Sequence, residues 1–193
     1  GKILNFASLA KDVGVDEKTV RHYFQILDDT LIGFFLEPYD GSVRRKVGKA
    51  PKFYFFDVGV VRALARHLTL EPVPDTYAWG EAFEHFVITE MVRLNSYSGN
   101  QFSMHFLRSY DDAEIDVVVK RPGKALLLIE IKSASEIRAD HIKTLVRISP
   151  DIAAPHELLC LSMDPRTLVV EGVRCVHWQR GLRDYFCGPD LKV

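Results

Sequence analysis

Two short runs constrain this chain more than anything else in it: Glu114-Ile115-Asp116-Val117-Val118-Val119 and Leu126-Leu127-Leu128-Ile129-Glu130-Ile131-Lys132. Both are rich in Val, Ile and Leu, and the turn signal Arg121-Pro122-Gly123-Lys124 separates them, so they predict the two strands of a hairpin. Side chains alternate across a strand, which sends Glu130 and Lys132 to one face and Leu127, Ile129 and Ile131 to the other. With Pro122-Gly123-Lys124 as a three-residue loop, Arg121 opposes Ala125, Asp116 opposes Glu130, and Glu114 opposes Lys132. Two carboxylates about 4 Å apart repel by roughly 1 kcal/mol in water and roughly 4 kcal/mol at the effective dielectric near a protein surface. Such an arrangement calls for a cation. Lys132 offsets part of the repulsion and a hard divalent ion offsets more, since Asp, Glu and a backbone carbonyl are oxygen ligands that Mg²⁺ accepts. An ordinary cross-strand ion pair on an exposed sheet face is the competing reading.

The rest of the chain must supply the setting for that hairpin. With 193 residues, 47% hydrophobic, it can bury a substantial core as one larger domain or two small ones. No apolar run approaches the ~20 residues of a membrane span, and no signal peptide is visible, so no membrane is expected. The three cysteines, Cys160, Cys175 and Cys187, are odd in number and form no C-x-x-C pair. That argues against a zinc site or a disulfide framework and for a cytoplasmic setting. The absent initiator Met reads as a piece of a longer protein. The formal charge of -1 is silent about nucleic acid, so local charge must decide.

The first 70 residues carry a helix-turn-helix pattern. Phe6, Leu9 and Ala10 mark a short helix, Val13-Gly14-Val15 a turn, and Asp16 caps a second helix with an apolar face of Val20, Tyr23, Phe24, Leu27 and Leu31. Ile32-Gly33-Phe34-Phe35-Leu36 and Lys52-Phe53-Tyr54-Phe55-Phe56 read as strands. Between them, residues 43–52 hold five basic residues, Arg44, Arg45, Lys46, Lys49 and Lys52, and no acidic one. Helix, turn, helix and basic hairpin is the layout of a winged helix. The hairpin could lie along phosphates, joined by Lys18 and Arg21 of the second helix, with DNA or RNA as partner. A solvated loop that keeps a strand edge soluble accounts for the same residues. Asp57 caps a further helix through Val60, Val61, Leu64 and Ala65.

The proline-bearing stretch Leu70-Glu71-Pro72-Val73-Pro74-Asp75 reads as a boundary, giving units at 1–70 and 76–193. The second begins with a helix from Glu81 to Leu94 whose apolar stripe lies close to Glu81, Glu84 and Glu90. A strand over 101–108, the charged hairpin, a helix over 137–148, strands over 158–161 and 173–176 and a helix over 182–186 follow. That order predicts an α/β (α+β) domain, a mixed sheet with helices outside.

On these residues the second unit resembles the PD-(D/E)XK nuclease fold, in which a helical Glu, a strand Asp and a following E-x-K surround a divalent metal. Glu84 matches the helical Glu, Asp116 the Asp, and Glu130 and Lys132 the E-x-K. The whole chain is similar to the C-terminal half of a class of prokaryotic AAA-type ATPases. Residues 49–57, 79–87, Glu114-Ile115-Asp116 and Ile129-Glu130-Ile131-Lys132 carry that likeness, in which a winged helix precedes a nuclease-like domain of unknown function. The resemblance implies Mg²⁺ or Mn²⁺ held by Asp116, Glu130, the Ile131 carbonyl and, directly or through water, Glu84. Lys132 would orient the attacking water in phosphodiester hydrolysis, Glu114 would support Lys132, and His141 could touch the phosphate. It also implies the ATPase portion as partner. No G-x-x-x-x-G-K-[ST] loop occurs, so ATP is not expected here. Ile115 stands where the motif's name has proline. A non-catalytic DNA- or protein-binding module that regulates or targets the ATPase is the alternative reading.

Overall fold

The computed structural model describes residues 1–41, 50–109 and 111–187. β1 (Lys2–Ile3), α1 (Phe6–Val13), α2 (Glu17–Asp29), β2 (Gly33–Pro38), β3 (Lys52–Phe55) and α3 (Val58–Leu64) form the first part. α4 (Tyr77–Tyr97), β4 (Ser103–Arg108), β5 (Glu114–Lys120), β6 (Leu126–Lys132), α5 (Ala139–Ile148), β7 (His156–Ser162), β8 (Leu168–Val170), β9 (Val173–His177) and α6 (Trp178–Phe186) form the second, with a 3-10 turn at Ser149–Asp151. The strands make one mixed sheet in the order β1-β3-β2-β4-β5-β6-β7-β9-β8. The α+β class and the flanked mixed sheet are as the sequence predicts.

Local chemistry fixes the helix ends. The Asn5, Asp16, Asp57 and Thr76 side chains accept backbone N–H groups that the first turns of α1, α2, α3 and α4 leave free. Thr76 starts α4 at Tyr77, one turn before the expected Glu81, because the cap outranks the apolar stripe. α2 ends at Asp29, so Leu31 falls beyond it at positive φ and is exposed, as is Tyr23. The buried or half-buried face is Val20, Phe24 and Leu27. β1 and β8 carry too few residues for a periodic signal, and the sequence predicts neither.

Two apolar layers sandwich the sheet. On one face Val117, Val119, Leu127, Ile129, Ile131 and Leu161 pack under Phe83, Val87, Ile88 and Met91 of α4 and Leu182 and Phe186 of α6. On the other, Val118, Leu128 and Cys160 pack on Ile142, Leu145 and Ile148 of α5. Each such buried side chain contributes about 1.5–3 kcal/mol. Phe6, Ala10 and Val20 form a separate small cluster with Phe24 and Phe35.

The proline-bearing linker joins α3 to α4, yet the sheet does not stop there. β2 pairs in parallel with β4 through Glu37↔His105 and Pro38↔Phe106. Leu36 and Tyr54 belong to the same apolar layer as α4. His85 of α4 bonds the Phe55 carbonyl through Nε2 at 2.7 Å, and Arg93 donates to the Phe56 carbonyl at 2.6 Å. The stretches on either side of the linker are therefore welded along a strand pair and a helix. No described helix is long and apolar enough to cross a membrane.

Candidate functional site

The β5–β6 hairpin has the register expected from its loop: Val117↔Ile129, Val118↔Leu128 and Val119↔Leu127, with Gly123 at φ +71° closing the turn. Extending that register by one residue sets Asp116 opposite Glu130. On its other edge β5 is irregular. His105 pairs with Val118 but Leu107 with Ile115, so Phe106 alone faces both Asp116 and Val117. This is a β-bulge, and it breaks the alternation at the acidic residue. Ile115 consequently joins the α5 layer together with Val118, while Val117 stays with α4. The Asp116 carboxylate is turned into the strand pair, where its Oδ2 accepts the Ile131 N–H at 2.7 Å.

At this end of the sheet, β3 and β5 begin, β6 ends and the first turns of α4 pass, lining an open pocket of about 640 Å³. Lys52, Glu84, Glu114, Ile131 and Lys132 are among its walls. Asp116 and Glu130 are buried, 9% and 3% exposed. Glu130 Oε1 meets Lys132 Nζ at 2.6 Å. Its Oε2 is buried and has no hydrogen-bond partner among the described residues. Glu84 Oε1 accepts from the Tyr54 hydroxyl at 3.0 Å and stands 3.5 Å from Lys52 Nζ, which also bonds Glu114.

The electrostatics follow from burial. Loss of water pushes the Asp116 carboxyl well above the usual carboxylate range, and the charges of Glu130 and Glu84 push it further. Burial also raises Glu130, against the pull of Lys132. For Lys52 and Lys132 burial acts downward, yet the neighbouring carboxylates outweigh it and hold both above the ordinary lysine value. Burial, then the Glu84 charge, raises the Tyr54 phenol well above its usual value.

Glu84, Ile131 and Lys132 line the pocket, while Asp116 accepts the Ile131 N–H and Glu130 pairs with Lys132. Three other side chains have partners that the sequence does not predict. Lys52, expected along phosphates, is 4% exposed and sits between Glu84 and Glu114. Glu114, expected beside Lys132, bonds Lys52 instead, because the bulge interrupts the pleat that would have carried it across. His141 uses its Nδ1 to accept the Arg138 N–H at the start of α5, at 3.2 Å, a helix-end role. Arg21 is exposed but ion-paired with Glu17 at 2.6 Å and stacked on Phe6, while Lys18 is exposed. Arg44, Arg45, Lys46 and Lys49 lie outside the described residues. Of the two β3 residues in the site, the sequence names Lys52 only for a phosphate contact and does not single out Tyr54. A signal was present, since two polar groups share one face of a strand whose other face is Phe53 and Phe55. Among the described residues no three His, Cys, Asp or Glu side chains stand together as a ready metal cage. The two lysines neutralise part of the cluster.

Residues 79–179 match the model of a domain of unknown function, DUF4143, and residues 1–71 that of another, DUF8612. Uncharacterised proteins of Mycobacterium bovis and Mycobacterium tuberculosis are each 28% identical to the chain over 127 residues, 64% of it. The matched stretch is 27% of the length of those relatives, so the chain spans about a quarter of them. No solved structure matches it significantly.

Proposed function

The chain belongs to the DUF4143 family, and from that premise we propose that it is the C-terminal, nuclease-like region of an AAA-type ATPase. Its Asp116–Glu130 pair would hold one divalent cation, Mg²⁺ or Mn²⁺, and the region would cut phosphodiester bonds. DUF4143 domains commonly occupy the C-terminal regions of such ATPases. The observation that carries the reading is the buried Glu130 Oε2, left without a partner beside a second buried carboxylate, Asp116. A buried orphan of this kind costs about 1–3 kcal/mol and calls for an explanation. An ion is the simplest one.

Asp116, Glu130 and the Ile131 carbonyl are the groups that would hold it, with Glu84 reaching it through water. Bound there, a divalent ion lowers the pKa of a water and polarises a phosphoryl oxygen. Asp116 is kept in place by the Ile131 N–H, which takes one of its two oxygens. Lys132, half-exposed at the pocket wall, can leave Glu130 to stabilise negative charge on the phosphoryl group. The layout β1-α1-α2-β2-β3 supports a winged-helix reading of the first 70 residues. In that reading Arg44, Arg45, Lys46 and Lys49, together with Lys18, meet the nucleic-acid backbone.

The alternative, a non-catalytic scaffold, draws on the Glu130–Lys132 ion pair, which neutralises part of the cluster without metal. Incubating the chain with single- and double-stranded DNA and RNA in Mn²⁺ or Mg²⁺ separates the two. Cleavage that is lost in Glu130→Ala and Lys132→Ala supports the enzyme. Wild type and variants behaving alike would sink it.

A further inference from the structure

We propose that Lys52 is a built-in cation of this pocket, so that the site takes one divalent ion rather than two. The inference deepens the reading above, and rests on it for the ion at Asp116 and Glu130. Four carboxylates, Glu84, Glu114, Asp116 and Glu130, meet at this end of the sheet, and two ammonium groups, Lys52 and Lys132, meet them. The position of Lys52 is specific. It arrives on β3, from the far side of the linker, and its ammonium bridges a carboxylate of α4 and one at the start of β5. The Phe106 ring lies 5.4 Å from Nζ, and the residue is 4% exposed. An ammonium that buried persists only with partners on every charge-bearing side. Here Glu84 and Glu114 supply them, and Tyr54 holds Glu84 in that pose by donating its hydroxyl.

Lys52 therefore supplies, between Glu84 and Glu114, positive charge that a second divalent ion would otherwise have to supply. It also restrains Glu84, which makes Lys52 a positioning residue: Glu84 Oε1 is taken by Lys52 and Tyr54, so its other oxygen is the one that would serve a neighbouring ion. Removing the ammonium should uncover a second cation site formed by Glu84 and Glu114.

The test is a Mn²⁺ titration of the full chain by calorimetry, with thermal unfolding in EDTA and in Mn²⁺ alongside. Wild type should bind one ion, lost in Glu130→Ala. Lys52→Met should bind two, unfold at a lower temperature in EDTA and recover in Mn²⁺. The double variant Lys52→Met with Glu114→Gln should return to one ion. If Lys52→Met folds only when refolded with Mn²⁺, that recovery supports the inference; failure to recover counts against it. Two ions in wild type would overturn it, as would a single ion in Lys52→Met with no added response to Mn²⁺. Should wild type bind none while Lys52→Met binds one that Glu114→Gln abolishes, the Lys52 assignment stands and the Asp116–Glu130 site fails. One ion in both wild type and Lys52→Met, lost in Glu130→Ala, would keep the Asp116–Glu130 site and remove the Lys52 assignment.

Discussion

Replacing Glu130 by Gln separates a functional carboxylate from a structural ion pair. Glu130 is 3% exposed, one of its oxygens has no hydrogen-bond partner among the described residues, and its charge faces that of Asp116. The Gln amide is nearly isosteric. Its NH₂ can donate to Asp116, which has lone pairs to spare beyond the one taken by the Ile131 N–H. Relief of the orphaned atom is worth about 1–3 kcal/mol. Against this stands the Lys132 contact, whose lysine side chain is 35% exposed, so its loss costs only about 0–1 kcal/mol. The net expectation is a gain of about 0–3 kcal/mol without metal, or a rise in Tm of up to roughly 12 °C for a chain of this size. In Mn²⁺ the order should reverse. Wild type gains about 2.7 kcal/mol when free metal is 100-fold above its Kd, and Glu130→Gln gains almost nothing. Scanning calorimetry of both proteins in EDTA and in Mn²⁺ reads the four values directly. A lower Tm for Glu130→Gln in EDTA would show that the Glu130 charge stabilises the fold, and the reasoning from its orphaned oxygen would be wrong.

Two further predictions concern the frame around the site. Asp164, buried, accepts the Ile137 N–H at 2.9 Å and the Arg166 side chain at 2.8 Å, and these bonds, Arg166 first, hold its carboxyl well below the usual range. Its folded pKa is depressed, so its contribution is present above the unfolded value of about 3.9 and fades as pH falls below that; Asp164→Asn should cost about 1–3 kcal/mol at pH 7 and much less near pH 2, as urea unfolding at the two pH values would show. Thr76→Ala removes the hydroxyl that accepts the Trp79 N–H at the start of α4 and should lower stability by about 1 kcal/mol, with the first turn of α4 exchanging its amide protons faster while the sheet amides are unaffected.

How much of this is legible in the sequence depends on the range of the forces involved. The β5–β6 hairpin is readable because its signals are local: a Pro-Gly turn fixes the loop length, and loop length fixes the register. Glu84 can be placed near that hairpin only through the family resemblance, since nothing in the periodicity of α4 says which sheet it covers. The bulge at Asp116 is invisible because it is a relation between β5 and β4, and β4 has no residue that announces it. Lys52 is misplaced for a related reason. Five basic residues in ten read as one exposed loop, whereas the strand alternation of Lys52, Phe53, Tyr54 and Phe55 decides where the last of them points.

That last misplacement bears on how the two stretches of the chain work together. A lysine ending a basic loop and a tyrosine two residues on are the groups that hold Glu84. Both are on β3, and β3 is fixed to α4 through His85, Arg93 and the shared apolar layer. The segment matching one family model thus completes the pocket of the segment matching the other. Any movement of β3 along its own axis would draw Lys52 out from between Glu84 and Glu114 and leave two half-buried carboxylates uncompensated, a cost of several kcal/mol. The pocket therefore resists such a shift unless a cation replaces the ammonium. Whatever the 1–71 segment binds, its described hold on Glu84 passes through two buried side chains, Lys52 and Tyr54.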